Sequence, residues 1–253
     1  MTEASNRRRF LKSVGAIGGA AALPASAVAQ APHSQHASPG KQQPAYMFFH
    51  PAEIQFIEAA VARLIPADEL GPGAKEAGVA YFIDQQLFGG WGAMAKMYRQ
   101  GPWPEGTPQQ GYQSPLTPRE VYRIGIPAVN QYCATRYRTS FHELNQGQQD
   151  EVLRGLDEGK IELEGVRAQF FFNLLLANTI EGFFADPVYG GNRDKVGWKL
   201  VGFPGVAAAY TALVEKHGVP YDAVPVSIQD ILDKTVEVDE HGHPKHVLLG
   251  RKD

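Results

Sequence analysis

The sequence predicts a mainly α-helical protein built as a single helical domain. Three observations favour this fold class: apolar residues recur at helical spacing in six segments, prolines and glycines bound those segments, and alternating strand patterns are sparse. With 253 residues, of which 43% are apolar, the chain can bury a substantial core and is too apolar to be disordered throughout.

The predicted helices carry recognisable start and stop signals. Pro51 suits the first position of the first helix, and Pro66 ends it. Thr117 and Glu120 form a capping box at the start of the third, which Pro127 is expected to kink or split. The fifth is the most apolar and should be central. In chain order the six segments are 48–69, 74–90, 117–141, 146–159, 164–186 and 204–218.

The first 29 residues are typical of a twin-arginine secretory signal. A basic block precedes an apolar run of small residues, and an A-x-A cleavage site follows at Ala27 and Ala29. The apolar run is too short and too rich in Gly and Ala for a stable membrane span. The residues expected to form the export signal are Arg7, Arg8, Phe10, Leu11 and Lys12.

Composition divides the remaining chain into three parts. Residues 30–45 are rich in Ala, Pro, His, Gln and Ser and are expected to form a flexible leader. The helical domain is expected to span residues 46–225. Residues 226–253 form a tail that is either a small hairpin around 241–244 or an extended arm.

Charge and cysteine content exclude several functions. The net charge is −3, so no basic excess favours a nucleic-acid partner. Cys133 is the only cysteine, which excludes an intrachain disulfide, a thiolate zinc cage, a CxxC redox pair and a cysteine-held iron–sulfur cluster. The CxxCH sequence that attaches c-type haem is also absent. We therefore expect no cofactor in this chain. Because the twin-arginine route carries folded proteins, often with a cofactor, two alternatives remain: a cofactor site that motifs do not reveal, or a cofactor that belongs to a partner travelling with this chain.

Motifs for catalysis or metal binding are weak. No G-x-S-x-G or H-E-x-x-H sequence is present. Four carboxylates stand in apolar or loop contexts, where a buried pair acts as acid and base, although capping or pairing with arginine is the commoner role; they are Asp84, Glu181, Asp186 and Asp194. An alternative hypothesis, a stand-alone exported enzyme assisted by a metal, depends on the clustered imidazoles of His241, His243 and His246.

Two loops rich in Gly, Pro and aromatic residues are the candidate partner interface. They span residues 89–116 and 186–205. Aromatic side chains are enriched in interface cores, and long ordered loops tend to be functional. The alternative is that these side chains anchor their own loops. The candidate contact residues are Trp103, Tyr112, Tyr189, Asn192 and Trp198.

Five segments give the chain a family resemblance. They are FFHPAE, RLIPADELGPGAKEAGVAYFIDQQL, YRQGPW, QGYQSPLTPREVYR and EGFFADPVYGGNRDKVGWKLVGFPG, and together they cover most of residues 48–210. In these segments the chain resembles the small (gamma) subunits of membrane-bound gluconate 2-dehydrogenase, the gluconate 2-dehydrogenase subunit 3 family. Small subunits of related flavin-dependent sugar dehydrogenases are similar.

The resemblance implies a complex of three parts in the periplasm, peripheral to the inner membrane. A large subunit carries FAD and oxidises D-gluconate to 2-dehydro-D-gluconate. A multi-haem cytochrome c subunit passes the electrons to quinone. The small subunit is non-catalytic, stabilises the large one and exports it through the twin-arginine machinery. A third hypothesis is that the chain is a general export chaperone that is absent from the mature complex.

Overall fold

The structure is a computed structural model that describes residues 45–104, 106–206, 214–219 and 221–247. These residues form seven α-helices and no strand, as the predicted fold class requires. The helices are α1 (Pro51–Leu64), α2 (Val79–Phe88), α3 (Pro118–Tyr137), α4 (Gln146–Asp157), α5 (Ala168–Phe184), α6 (Val196–Val201) and α7 (Ile228–Leu232).

Local sequence signals set several helix ends. Pro51 begins α1, and the preceding His50 backbone N–H donates to Glu53 Oε2 at 2.8 Å. Gly89 follows the last residue of α2 as its C-cap. At the start of α3, the Thr117 backbone N–H donates to Glu120 Oε2 at 2.6 Å while Thr117 Oγ1 accepts from the Glu120 backbone N–H. The predicted capping box is therefore confirmed.

Pro127 does not split its helix, so that part of the prediction was wrong. α3 runs without a break over 20 residues, and Pro127 is the tenth of them. A proline at this point leaves the carbonyl of Arg123, four residues earlier, without its helical donor. Pro127 lies on the exposed side of α3, where water can satisfy that carbonyl and the helix continues.

Five helices enclose the core, and α5 lies at its centre. α5 packs against α1, α2, α3 and α4, and its C-terminal end also contacts α6. Aromatic rings fill the middle: Phe56 lies 4.8 Å from Phe141 and 6.3 Å from Phe171, centroid to centroid. The Tyr122 hydroxyl donates to Asn178 Oδ1 on α5 at 2.9 Å, which satisfies both buried polar groups. Within the described residues, no helix has both the length and the apolarity to cross a bilayer.

The predicted sixth segment, 204–218, differs from expectation at its start. Gly205 forms an isolated parallel bridge with Val226 instead of entering a helix. Most of the rest of that segment, 207–213, lies outside the described residues. In the tail the chain reverses direction. The Asp239 backbone N–H donates to the His243 carbonyl at 2.9 Å, and the Lys245 backbone N–H donates to the Glu237 carbonyl at 2.8 Å. This is a hairpin-type turn with one antiparallel bridge and no strand.

The predicted export signal and residues 30–44 of the predicted leader fall outside the described residues. The structure therefore leaves them as predictions from sequence. The residues concerned are Arg7, Arg8, Phe10, Leu11 and Lys12 of the signal, and Ala27 and Ala29 of the cleavage site.

Candidate partner-binding surface

A rigid corner joins α2 to the first Gly-rich loop. The Arg119 guanidinium donates to the carbonyls of Leu87, Phe88 and Gly89, which are the last acceptors of α2 and have no helical donor of their own. The Arg119 backbone N–H also donates to the Gly92 carbonyl at 3.1 Å. A Cβ at Gly92 would overlap the backbone of Leu87, so the loop turns back closely on the helix and needs glycine there.

Beyond this corner the loop forms an open apolar groove. Its volume is about 460 Å³. Trp91 is 41% exposed and Met97 is 60% exposed, and Tyr98 beside them is 83% exposed. The groove is lined by Gly90, Trp91, Met94, Ala95, Lys96, Met97, Tyr112 and Pro118.

The two candidate aromatics of the first loop are half-buried. The Tyr112 hydroxyl donates to the Leu116 carbonyl at 2.7 Å, and its ring meets Phe170 of α5 edge-on at 5.1 Å. Burial raises the pKa of Tyr112 above its ordinary value, so the phenol stays protonated as a donor. Trp103 lines a separate cleft of about 390 Å³, together with residues 113–116, 165–167 and Phe170. Tyr112 therefore belongs to the groove and Trp103 lies beside it.

Asn192 lies inside the second loop and holds it together. Its side chain is fully buried, its Nδ2 donates to the Ala185 carbonyl at 2.8 Å, and its Oδ1 accepts from the Gly197 backbone N–H at 2.8 Å. These bonds tie the end of α5 to the start of α6. A buried side chain with both polar atoms paired offers no surface to a partner. Asn192 therefore fits the alternative interpretation, in which the side chain anchors its own loop.

Trp198 is buried inside the loop, as Asn192 is, whereas Tyr189 faces solvent. Trp198 is 5% exposed, its Nε1 donates to the Phe184 carbonyl at 2.7 Å, and its ring meets Phe203 edge-on at 5.2 Å. Tyr189 is 54% exposed at the turn between α5 and α6. Of the three candidate contact residues in this loop, only Tyr189 presents its side chain outward.

The second loop is also strained. Asn192, Asp194 and Lys195 have φ angles of 46°, 56° and 57°, in the left-handed region that non-glycine residues rarely adopt. Each such residue costs on the order of 1–3 kcal/mol and persists only where its surroundings hold it. The Asn192 bonds provide one such restraint. The Arg193 backbone N–H, which donates to the Ala77 carbonyl at 2.9 Å, provides another.

An ion pair joins the strained loop to α7. Asp230 Oδ2 accepts from Lys195 Nζ at 2.6 Å and from the backbone N–H and hydroxyl of Ser227 at 2.7 Å each. Burial acts to raise the pKa of Asp230, but the hydrogen bonds from Lys195 and Ser227 outweigh it and hold that pKa below its ordinary value. The charged carboxylate is thus the form that the fold stabilises.

We expect Asp230→Asn to lower the free energy of unfolding at pH 7 by about 1–2 kcal/mol. Because the folded pKa is depressed, the carboxylate contributes stability above its unfolded pKa of about 3.9 and loses it as the pH falls through the folded value. The difference in the free energy of unfolding between wild type and variant should therefore have its full value at pH 7 and decrease below about pH 4. Urea unfolding of both proteins at pH 7, 5 and 3 measures this, and a pH-independent difference would contradict it.

Asp84, proposed above as a potential acid or base, instead anchors the start of the domain. It is fully buried on α2, and its oxygens accept the backbone N–H groups of Met47, Phe48 and Phe49 at 2.7, 2.9 and 2.8 Å. On the other side of the same segment, the Arg123 guanidinium donates to the Phe48 carbonyl and lies 4.0 Å over the Phe48 ring. The chain is thus clamped between α2 and α3 just before α1.

Two of the other candidate carboxylates also have partners of their own. Asp186 accepts the Val188 and Ile228 backbone N–H groups at 3.0 and 2.7 Å, and so caps two turns. Glu181 accepts from Asn178 on the same helix at 3.1 Å. These contacts are structural.

The three histidines do not converge on one point. His246 Nε2 bonds the Val206 carbonyl at 2.7 Å, while His241 and His243 lie at the turn beside Asp239. Among the described residues, no group of three or more His, Cys, Asp or Glu side chains is placed to hold a metal ion. The metal-assisted alternative therefore gains no support from this part of the chain.

Sequence reasoning selected the first loop but missed its most exposed side chains. Trp91, Met97 and Tyr98 lie within the predicted 89–116 stretch, yet the prediction named only Trp103 and Tyr112 there. A signal was present: FGGWGAMAKMY combines three glycines, which disfavour a helix, with five large side chains. That pattern indicates a turning loop that carries large apolar side chains.

Comparison with known families gives one match. The model of the family described as gluconate 2-dehydrogenase subunit 3 matches residues 51–205, more than half of the chain. The match contains α1 to α6, the groove and the strained loop. No curated protein and no solved structure matches the chain.

Proposed function

Because the chain belongs to the gluconate 2-dehydrogenase subunit 3 family, we propose that it is the small, non-catalytic subunit of a periplasmic, membrane-associated, FAD-dependent gluconate 2-dehydrogenase. The family match over residues 51–205 is the observation that carries this proposal. Membership of a subunit family implies partner subunits. The finer assignments, which are a flavoprotein, a multi-haem cytochrome c and export by the twin-arginine route, rest on the resemblance and on the first 29 residues.

The proposed division of labour follows the chemistry. Oxidation of the C2 alcohol of D-gluconate to a ketone releases two electrons and two protons. In the proposed complex, FAD in the large subunit accepts the electrons, and haem c in the cytochrome subunit passes them to quinone. The small chain stabilises the folded flavoprotein and supplies its export signal. The structural use of Asp84 and Asp186 supports a non-catalytic role, since their oxygens are occupied by backbone N–H groups.

A pull-down tests this function. The full chain, tagged at its C-terminus, is recovered from gently solubilised membranes, the co-purifying chains are sequenced, and dye reduction is assayed with gluconate, glucose and fructose. We expect a FAD-containing large chain, a cytochrome c and gluconate-dependent activity. Activity with another sugar alone would assign the chain to a related dehydrogenase.

Two results would contradict the proposal. A chain that elutes alone and without flavin cannot be a permanent subunit, and bound metal lost on mutation of His243 and His246 would favour the stand-alone enzyme. The control is a double variant, Arg7→Lys with Arg8→Lys, which should leave the flavoprotein in the cytoplasm if this chain carries the export signal.

A further inference from the structure

Several large apolar side chains are exposed together at the groove beside α2. Trp91, Met97 and Tyr98 lie within eight residues of one another in the chain and are each more than 40% exposed. Phe88, immediately before them at the end of α2, is 49% exposed. Exposed apolar area costs about 25 cal/mol per Å², and a concentration of it is characteristic of an interaction site. Trp, Tyr and Met are also residue types enriched in interface cores.

The groove is held in shape without a partner. Arg119 binds three consecutive carbonyls at its base, and Gly92 packs directly on the α2 backbone. Tyr112 on its wall is fixed by its bond to the Leu116 carbonyl and by its contact with Phe170. A surface ordered in advance loses little conformational entropy on binding, so its apolar area converts efficiently into affinity.

Charge at the rim indicates the chemistry of the occupant. Residues 88–104 contain Lys96 and Arg99 and no acidic residue. Arg99 donates to the Pro115 carbonyl and lies 4.0 Å from Glu120. Lys96 lines the groove and has no ion-pair partner among the described residues. An apolar groove with an unmatched cation fits an apolar protrusion that carries a carboxylate.

A second copy of this chain fits the groove poorly. If the groove lay on a two-fold axis, each groove would face the other and the two Lys96 ammonium groups would approach one another. Like charges at an interface oppose association. A symmetric dimer through the groove is therefore disfavoured, and a different protein is the better occupant.

We propose that the groove formed by residues 90–97 with Tyr112 and Pro118 is the site where the flavoprotein subunit docks, through an apolar protrusion flanked by a carboxylate. This inference rests on the proposed function and makes it specific. Trp91 and Met97 form the buried centre of the contact, and Lys96 pairs with the partner's carboxylate.

The experiment measures flavin bound per tagged chain. Full-length wild type and four variants are produced in a strain without the native copy and purified from solubilised membranes. Met97→Asp and Lys96→Glu alter the groove. Leu232→Asp and Lys234→Glu, at the end of α7 and outside both candidate loops, are matched controls, since Leu232 is 63% and Met97 60% exposed, and both lysines are exposed. The probe is the FAD-containing chain that co-purifies with wild type, identified by sequencing.

We expect Met97→Asp to reduce bound flavin by at least about tenfold, since central contacts dominate interface energy. Lys96→Glu should reduce it by about threefold or more and should increase its sensitivity to salt. The α7 controls should stay within about twofold of wild type. Because Lys96 is exposed, its variant decides the result if Met97→Asp proves unstable in thermal unfolding.

Three outcomes overturn the docking site. Groove variants that retain wild-type flavin show that docking occurs elsewhere, while the flavin on wild type still supports the proposed function. Equal losses in groove and α7 variants show that the groove is not specific. Wild type without flavin contradicts the proposed function itself and the docking site with it.

Discussion

Replacing Asp84 with alanine is expected to lower the free energy of unfolding by about 3–5 kcal/mol, because hydrogen bonds to a charged group each contribute about 1.5–3 kcal/mol. The carboxylate accepts three consecutive backbone N–H groups, from Met47, Phe48 and Phe49. Phe49 is buried, so its N–H would lose its partner without gaining water. Met47 is exposed, and its N–H can be rehydrated, which keeps the cost below the sum of three bonds.

Urea unfolding of the purified chain, followed by circular dichroism, measures this effect. Asp84→Asn should lower the free energy of unfolding by an intermediate amount, about 2 kcal/mol. Its amide NH₂ group would face a backbone N–H whose hydrogen bond the carboxylate now accepts, so that bond would be lost. Asp157→Ala is the control, because Asp157 is exposed at the end of α4, and a change there should stay within about 0.5 kcal/mol. If Asp84→Ala costs no more than Asp157→Ala, the clamp on the start of the domain does not stabilise the fold.

Helix positions could be predicted because their signals are local. Pro51, Gly89 and the Thr117–Glu120 capping box each act within one turn of the residue concerned. The apolar segment 164–186 was expected to be central, and α5 indeed contacts the four other core helices. Pro127 and the start of the predicted segment 204–218 were exceptions. Whether a proline breaks a helix depends on what binds the freed carbonyl, and sequence does not show that the site faces water.

The role of Asp84 could not be read from the sequence, since its partners lie 35 to 37 residues earlier in the chain. A carboxylate within an apolar helix is compatible with catalysis and with capping alike. Only the fold places three unpaired backbone donors beside it. The same holds for Asp186, one of whose partners, Ile228, is 42 residues away.

The candidate surface was predicted as two loops, and the structure separates their residues. Both loops were selected by composition, which identifies large apolar side chains but not the direction in which they point. In the second loop the left-handed backbone at Asn192 and Lys195 turns the chain so that Trp198 packs inward. In the first loop the tight turn at Gly92 leaves Trp91 and Met97 outside. A prediction of contact residues needs the backbone conformation that distinguishes these two cases.

Replacing Trp198 with alanine is expected to destabilise the chain by itself, by about 3–5 kcal/mol, the usual cost of removing a large buried aromatic side chain. The indole is 5% exposed, and its N–H satisfies the Phe184 carbonyl at the end of α5. Loss of the ring leaves a cavity between α5 and α6 and removes the packing partner of Phe203. Trp198→Phe should cost about 1–2 kcal/mol, since it keeps most of the apolar contact and loses the hydrogen bond.

Comparison with Tyr189 separates an internal anchor from a partner contact. Tyr189 is 54% exposed in the same loop, so Tyr189→Ala should change the free energy of unfolding of the purified chain by less than about 1 kcal/mol. If Tyr189 contacts the flavoprotein, that variant would lose bound flavin while it remains stable. Trp198→Ala should instead lose stability and assembly together, because less of the chain is folded and able to bind the flavoprotein. A Trp198→Ala chain as stable as wild type, but unable to bind the flavoprotein, would show that the indole reaches the partner directly.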